Sequence, residues 1–135
     1  MTYYLIIIGG GPGGTAAAVY AARKRMKALF ITAEWGGQSV VSEQVFNWIG
    51  TVSLSGPELA ENFKKHVMAN VGDSLEVKEG GKVKSVAKKG DLPAQAGTFS
   101  VTTETGKEFE AKTILITTGS LRRKLPVKGA DRLEN

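Results

Sequence analysis

Six residues, Gly9-Gly10-Gly11-Pro12-Gly13-Gly14, constrain this chain more than any others. They follow Tyr3–Ile8, a short apolar run whose β-branched residues suit a strand buried on both faces of a parallel sheet. They precede an alanine-rich stretch, Pro12–Arg25, that reads as a helix, with Pro12 in the first turn where its missing N–H costs nothing. Gly9, Gly11 and Gly14 satisfy G-x-G-x-x-G, and each glycine has its own task. Gly9 permits the turn out of the strand, Gly11 lets the backbone approach a pyrophosphate, and Gly14 lets helix and strand pack closely. The pyrophosphate would then rest on the free N–H groups around Pro12 and Gly13, at the positive end of the helix dipole. A P-loop is excluded, because no Gly-Lys-Ser/Thr follows at the required spacing.

A second strand, Ala28–Thr32, follows, as a dinucleotide-binding unit requires. The acid that binds ribose in such units stands about 20 residues beyond the glycines. Glu34 lies 20 residues after Gly14, while Thr32 occupies the strand end itself. The ribose ligand is therefore either the Glu34 carboxylate or the Thr32 hydroxyl, the latter directly or through water.

The rest of the chain reads as α/β with a mainly parallel sheet. Residues 33–55 are irregular, yet Trp35, Phe46 and Trp48 argue against disorder. Ser55 with Glu58 forms a capping box for a second helix ending near Asn70, with Leu59, Phe63 and Val67 on its apolar face. Leu75–Lys78 reads as a parallel strand, and Lys82–Val86, Thr98–Thr102 and Lys107–Ala111 as an antiparallel meander. Thr113–Thr117 reads as a further, buried strand stopped by Gly119.

Composition narrows the function by exclusion. The 135 residues suit one domain. There is no cysteine, so these residues hold no disulfide, thiolate metal site or redox dithiol, and one histidine, His66, cannot make a zinc site. The net charge of +5 comes from scattered clusters with no interleaved aromatics, which argues against nucleic-acid binding. The apolar run at Leu5–Ile8 is too short for a membrane or signal segment, so a cytoplasmic protein is expected.

The glycine pattern alone leaves NAD(P) and FAD open. Further along stand Trp35-Gly36-Gly37-Gln38, Phe46-Asn47-Trp48-Ile49-Gly50, Ser55-Gly56-Pro57-Glu58-Leu59 and Ile116-Thr117-Thr118-Gly119-Ser120. In this order, and together with Gly9–Gly14, they resemble the FAD-binding half of the thioredoxin reductase family. The flavoprotein component of alkyl hydroperoxide reductase is similar. The resemblance covers essentially the whole chain. It implies a Rossmann-like FAD-binding domain with an antiparallel meander, incomplete at its C-terminal end.

By resemblance, Gly36, Gly37 and Gln38 would line the flavin, and Asn47 would hydrogen-bond near the isoalloxazine. Val83 would offer backbone groups to the adenine, and Thr118 and Gly119 would close over the adenine-dinucleotide portion. Two departures stand out: Thr117 replaces the usual alanine, and Ile49 the usual proline. Residues 1–120 would be the first part of the FAD domain, and 121–135 the connection toward an NADPH and dithiol domain. Neither a second glycine fingerprint nor a Cys-x-x-Cys occurs in this sequence. A fragment with weakened or absent FAD retention is therefore expected, with self-association burying its open face. The resemblance implies a homodimeric parent passing electrons from NADPH through FAD to a thioredoxin-like or peroxiredoxin-type protein. No residue here reads as an acid, base or nucleophile, so none is assigned as catalytic. Two rivals remain: a thioredoxin reductase-like module without NADPH–disulfide activity, and an NAD(P)-binding dehydrogenase domain.

Overall fold

The computed structural model describes residues 2–90, 97–120 and 127. Its chain order is β1 (Thr2–Gly10), α1 (Pro12–Arg23), β2 (Ala28–Trp35), a 3-10 helix (Gly37–Val41), α2 (Gly56–Met68), β3 (Leu75–Glu79), β4 (Val83–Lys89), β5 (Thr98–Thr103) and β6 (Glu108–Ile116). The six strands form one sheet in the order β3-β2-β1-β6-β5-β4. Strands β3, β2, β1 and β6 are mutually parallel, whereas β5 is antiparallel to both its neighbours.

Alternation along the central strands divides the core in two. Ile7 and Phe30 face α1 and α2, where they meet Ala18, Val19, Ala22 and Val67. Ile6, Ile8, Leu29 and Ile31 point to the opposite face, against Val101, Ala111 and the half-buried Val83, Phe109 and Ile114. The meander thus covers the face that the helices leave. A continuous Ile-Ile-Ile run is stable in β1 only because both of its faces are covered.

Three expectations need correction. Lys107–Ala111 and Thr113–Thr117 are one strand, not two: Thr2–Tyr3 of β1 pair with Glu110–Ala111 of β6, and Leu5–Ile8 pair with Thr113–Ile116. Lys112 breaks nothing, because an outward-pointing position in a strand accepts a charge. Nor is the second half of β6 buried on both faces; Leu115 and Ile116 are exposed. Finally, α1 stops at Arg23 rather than Arg25. Arg25 takes a left-handed conformation (φ 53°), and the N–H groups of Arg25 and Met26 bond back to the carbonyls of Ala22 and Ala21. This closes the helix with the cap geometry that glycine usually supplies.

The segment read as irregular contains more order than expected. β2 runs on to Trp35, the 3-10 helix follows, and Val45 and Leu54 bond to each other across a loop whose Trp48 ring packs edge-on against Phe63 of α2. The connection proposed for 121–135 lies, apart from Val127, outside the described residues.

Candidate dinucleotide site

Because β1, β2, β3 and β6 are parallel, their carboxyl ends lie along one edge of the sheet. That edge carries Gly9–Gly11, Thr32–Gly37, Glu79 and Thr117–Gly119. The strand order runs outward in opposite directions from the β1–β6 pair, the place where open α/β sheets bind ligands.

At this edge α1 begins without protein assistance. Gly11 is its N-cap residue and Pro12 opens its first turn, with no side-chain cap and no acidic residue in that turn. The first helical bond runs from Thr15 N–H to the Gly11 carbonyl, 3.0 Å away. The N–H groups of Gly13 and Gly14 precede it, and the dipole of the helix makes their neighbourhood attractive to an anion. Gly13 is exposed and Gly11 half-buried.

The turn's glycines differ in what surrounds them. A Cβ on Gly9 would lie 2.4 Å from the Thr117 carbonyl oxygen, one on Gly10 2.1 Å from Thr32 Oγ1, and one on Gly14 1.8 Å from the Gly9 carbonyl oxygen. None of these fits. On Gly11 the nearest atom would be Gly37 Cα at 3.9 Å, an ordinary contact. Its backbone angles (φ −77°, ψ −176°) are open to any residue. The fold therefore requires glycine at 9, 10 and 14 but not at 11. Gly11 thus leaves the start of the uncapped helix open, with Gly37 Cα the nearest atom that a Cβ there would meet.

Gly10 has no role in the three-glycine pattern, yet its missing side chain lets the end of β1 lie against the end of β2, opposite Trp35. Thr32 is buried beside it, and its hydroxyl donates to the Glu34 carbonyl. That hydroxyl braces the strand end and is already committed, whereas the Glu34 side chain is exposed. The uninterrupted Gly9-Gly10-Gly11 run was the available signal for Gly10. The next residues are held equally firmly. Gly36 N–H donates to the Gly10 carbonyl at 2.8 Å, and Gly36 sits against Ala60 of α2. Trp35 Nε1 donates to Glu79 at 3.1 Å, and Lys64 Nζ reaches the same carboxylate oxygen at 2.8 Å. These hydrogen bonds, Lys64's first, hold the Glu79 carboxyl below its ordinary range.

Gln38 and Asn47 meet at a separate open cavity of about 480 Å3, which they line with Ser39, Ser42, Gln44, Val45 and Phe46. Gly37 joins this region to the glycine turn, since its Cα faces Gly11. Thr118 and Gly119 are exposed just beyond β6; the backbone of Thr118 lies against Gly9, whereas a Cβ on Gly119 would meet nothing within 4 Å. Val83 begins β4, an edge strand, with its side chain half-buried under the meander and away from the Gln38–Asn47 cavity. A second cavity, of about 310 Å3, opens at the opposite end of the strands beside Tyr3, Lys27 and Leu75, and no sequence-predicted site residue lines it.

The sequence matches the pyridine nucleotide-disulphide oxidoreductase family over residues 3–135. The chain belongs to that family. Among curated relatives, the F protein of the Pseudomonas aeruginosa alkyl hydroperoxide reductase is 31% identical over 111 residues, 82% of this chain and 20% of that protein. A Bacillus subtilis NADH dehydrogenase is 30% identical over 117 residues, 87% of this chain and 21% of that protein. Thioredoxin reductase of Lactococcus lactis superimposes with a TM-score of 0.82 at 32% identity, over 95% of this chain and 39% of that one. The Streptococcus pyogenes thioredoxin reductase gives 0.75 at 34% identity, over 93% and 38%. This pyridine nucleotide-disulphide oxidoreductase chain thus has the Rossmann-like fold of the FAD-binding domain of thioredoxin reductases and spans about a fifth of the length of the curated relatives it matches.

Proposed function

We propose that this chain holds FAD, and that it is the FAD-holding portion of a thioredoxin reductase-like flavoprotein. In that protein electrons pass from NADPH through the flavin to a disulfide of a thioredoxin-like or peroxiredoxin-type partner. The observation that carries the reading is the uncapped start of α1 behind Gly11, a glycine the fold itself does not need. When bound, the isoalloxazine supplies two-electron exchange between a nicotinamide and a dithiol. The chain's own residues bind and orient. The N–H groups of Gly13 and Gly14 receive the pyrophosphate, with Gly9, Gly11 and Pro12 shaping the turn around it. Glu34 accepts from the ribose hydroxyls, with Thr32 fixing the strand end from which it projects.

Gly37 and Gln38 carry the site toward the cavity where Asn47 stands, and an amide from each of Gln38 and Asn47 is suited to hydrogen-bond a flavin edge. Thr118 and Gly119 border the turn from the β6 side, and Val83 offers an edge-strand backbone to the adenine. Residues 1–120 form the FAD-binding part in this reading, with 121–135 leading toward the NADPH and dithiol domain. The parent is a cytoplasmic homodimer. Among the described residues no helix is long and apolar enough to cross a membrane.

Titration of the chain with FAD, NADH and ADP-ribose, followed by flavin and nicotinamide fluorescence, tests the reading. Saturable binding of one FAD per chain, competed by ADP-ribose, is expected. Binding of NADH with no binding of FAD would replace this reading with an NAD(P) dehydrogenase domain.

A further inference from the structure

Thr117 lies just past the end of β6, where its backbone and side chain touch three glycines of the turn. Its N–H donates to the Ile8 carbonyl at 2.9 Å, and its Oγ1 donates to the same oxygen at 2.8 Å. The Gly9 carbonyl stands 3.3 Å from that hydroxyl as a second, weaker acceptor. The Ile8 carbonyl therefore accepts two bonds from one residue, which uses both of its lone pairs at the point where β1 leaves the sheet. On its other side Thr117 meets the helix start. A Cβ on Gly14 would lie 2.7 Å from Thr117 Oγ1, and one on Gly13 3.7 Å from Thr117 Cγ2. The hydroxyl thus fills the space between the end of β1 and the two residues whose N–H groups precede the first helical bond.

We propose that Thr117 is a positioning residue for the anion seat: its hydroxyl fixes Ile8 and Gly9, and through them the Gly13 and Gly14 amides that receive the FAD pyrophosphate. The proposal rests on the FAD reading for its ligand, but its structural part stands on the free chain. Serine keeps the hydroxyl and loses the methyl; valine keeps the volume and loses the hydroxyl. Ile8 retains its backbone bond in both, so both variants fold.

Two measurements on Thr117→Val, Thr117→Ser and the unmodified chain test it. The first is amide hydrogen exchange of the free chain. Thr117→Val should speed exchange at Thr15, whose N–H makes the first helical bond, by about tenfold, leaving Leu29 and Phe30 in β2 unchanged; Thr117→Ser should leave Thr15 within about twofold. The second is FAD titration, in which Thr117→Val should weaken binding about tenfold, as expected for one lost hydrogen bond, and Thr117→Ser within about twofold. Equal behaviour of serine and valine at Thr15, or valine binding FAD as the unmodified chain does, overturns the proposal. If the unmodified chain binds NADH and no FAD, the FAD reading fails, and the exchange at Thr15 alone decides whether Thr117 positions the turn.

Discussion

Gly14 and Gly11 are three residues apart and are glycine for opposite reasons. A methyl on Gly14 would sit 1.8 Å from the Gly9 carbonyl oxygen, a backbone atom that cannot rotate away. Gly14→Ala should therefore destabilise the chain by about 3 kcal/mol, with the urea midpoint falling accordingly. Gly11 has no such neighbour, so nothing within the protein demands glycine there. The residue pattern made the position of the turn legible, because a strand, a glycine cluster and a helix in that order have few other uses. It did not separate the fold's glycines from the ligand's. That distinction depends on which atoms approach from β2 and β6, far away in sequence. Gly10 and Thr117 went unassigned for this reason, since their partners are Thr32 and the end of β1.

At the scale of elements, what sequence revealed depended on whether local or distant contacts decide. The cap of α2 is local: Ser55 Oγ accepts from Glu58 N–H at 3.2 Å, and the buried Leu59, Phe63 and Val67 follow the helical period. The end of α1 is local too, but it breaks the rule that glycine ends such helices. Arg25 holds a left-handed conformation that costs a side-chain-bearing residue about 1 kcal/mol. Arg25→Gly should accordingly raise stability by about 1 kcal/mol, read as a higher thermal midpoint, without altering the helix length. The continuity of β6 is not local. Its two halves look like separate strands until β1 pairs with both, and the exposure of Leu115 and Ile116 follows from where the sheet places them. The order within 33–55 likewise depends on α2: Gly56 fits only because it lacks a Cβ, which would lie 2.0 Å from the Ser39 carbonyl oxygen.

On the scale of the whole molecule, side chains also link strands that are not neighbours. Tyr3 on β1 donates to Glu76 on β3 at 2.6 Å, spanning β2. Burial, then the hydrogen bond to Glu76 and its charge, push the Tyr3 phenol up to about 12 from 10.0. The folded state therefore favours the protonated phenol. The stability this supplies is fully present below pH 10 and is lost as pH rises through about 12. Tyr3→Phe should be less stable than the unmodified chain at neutral pH and should lose less stability between pH 10 and 12, as denaturant titrations at a series of pH values would show. Glu76 shifts the other way: its hydrogen bonds to Tyr3 and Lys78 lower its pKa below 4.5, so its contribution is present at neutral pH and lost on acidification.

At the edge of the same sheet, the proposed pyrophosphate seat depends on α1 starting without a cap. FAD titration of Gly11→Ala against the unmodified chain, each with its thermal midpoint measured without ligand, tests this most directly. Nearly equal midpoints and at least about a tenfold loss of FAD affinity are expected, because the added methyl enters the space in front of the helix and meets only Gly37 Cα at 3.9 Å within the protein. A Gly11→Ala chain that binds FAD as tightly as the unmodified one would contradict it.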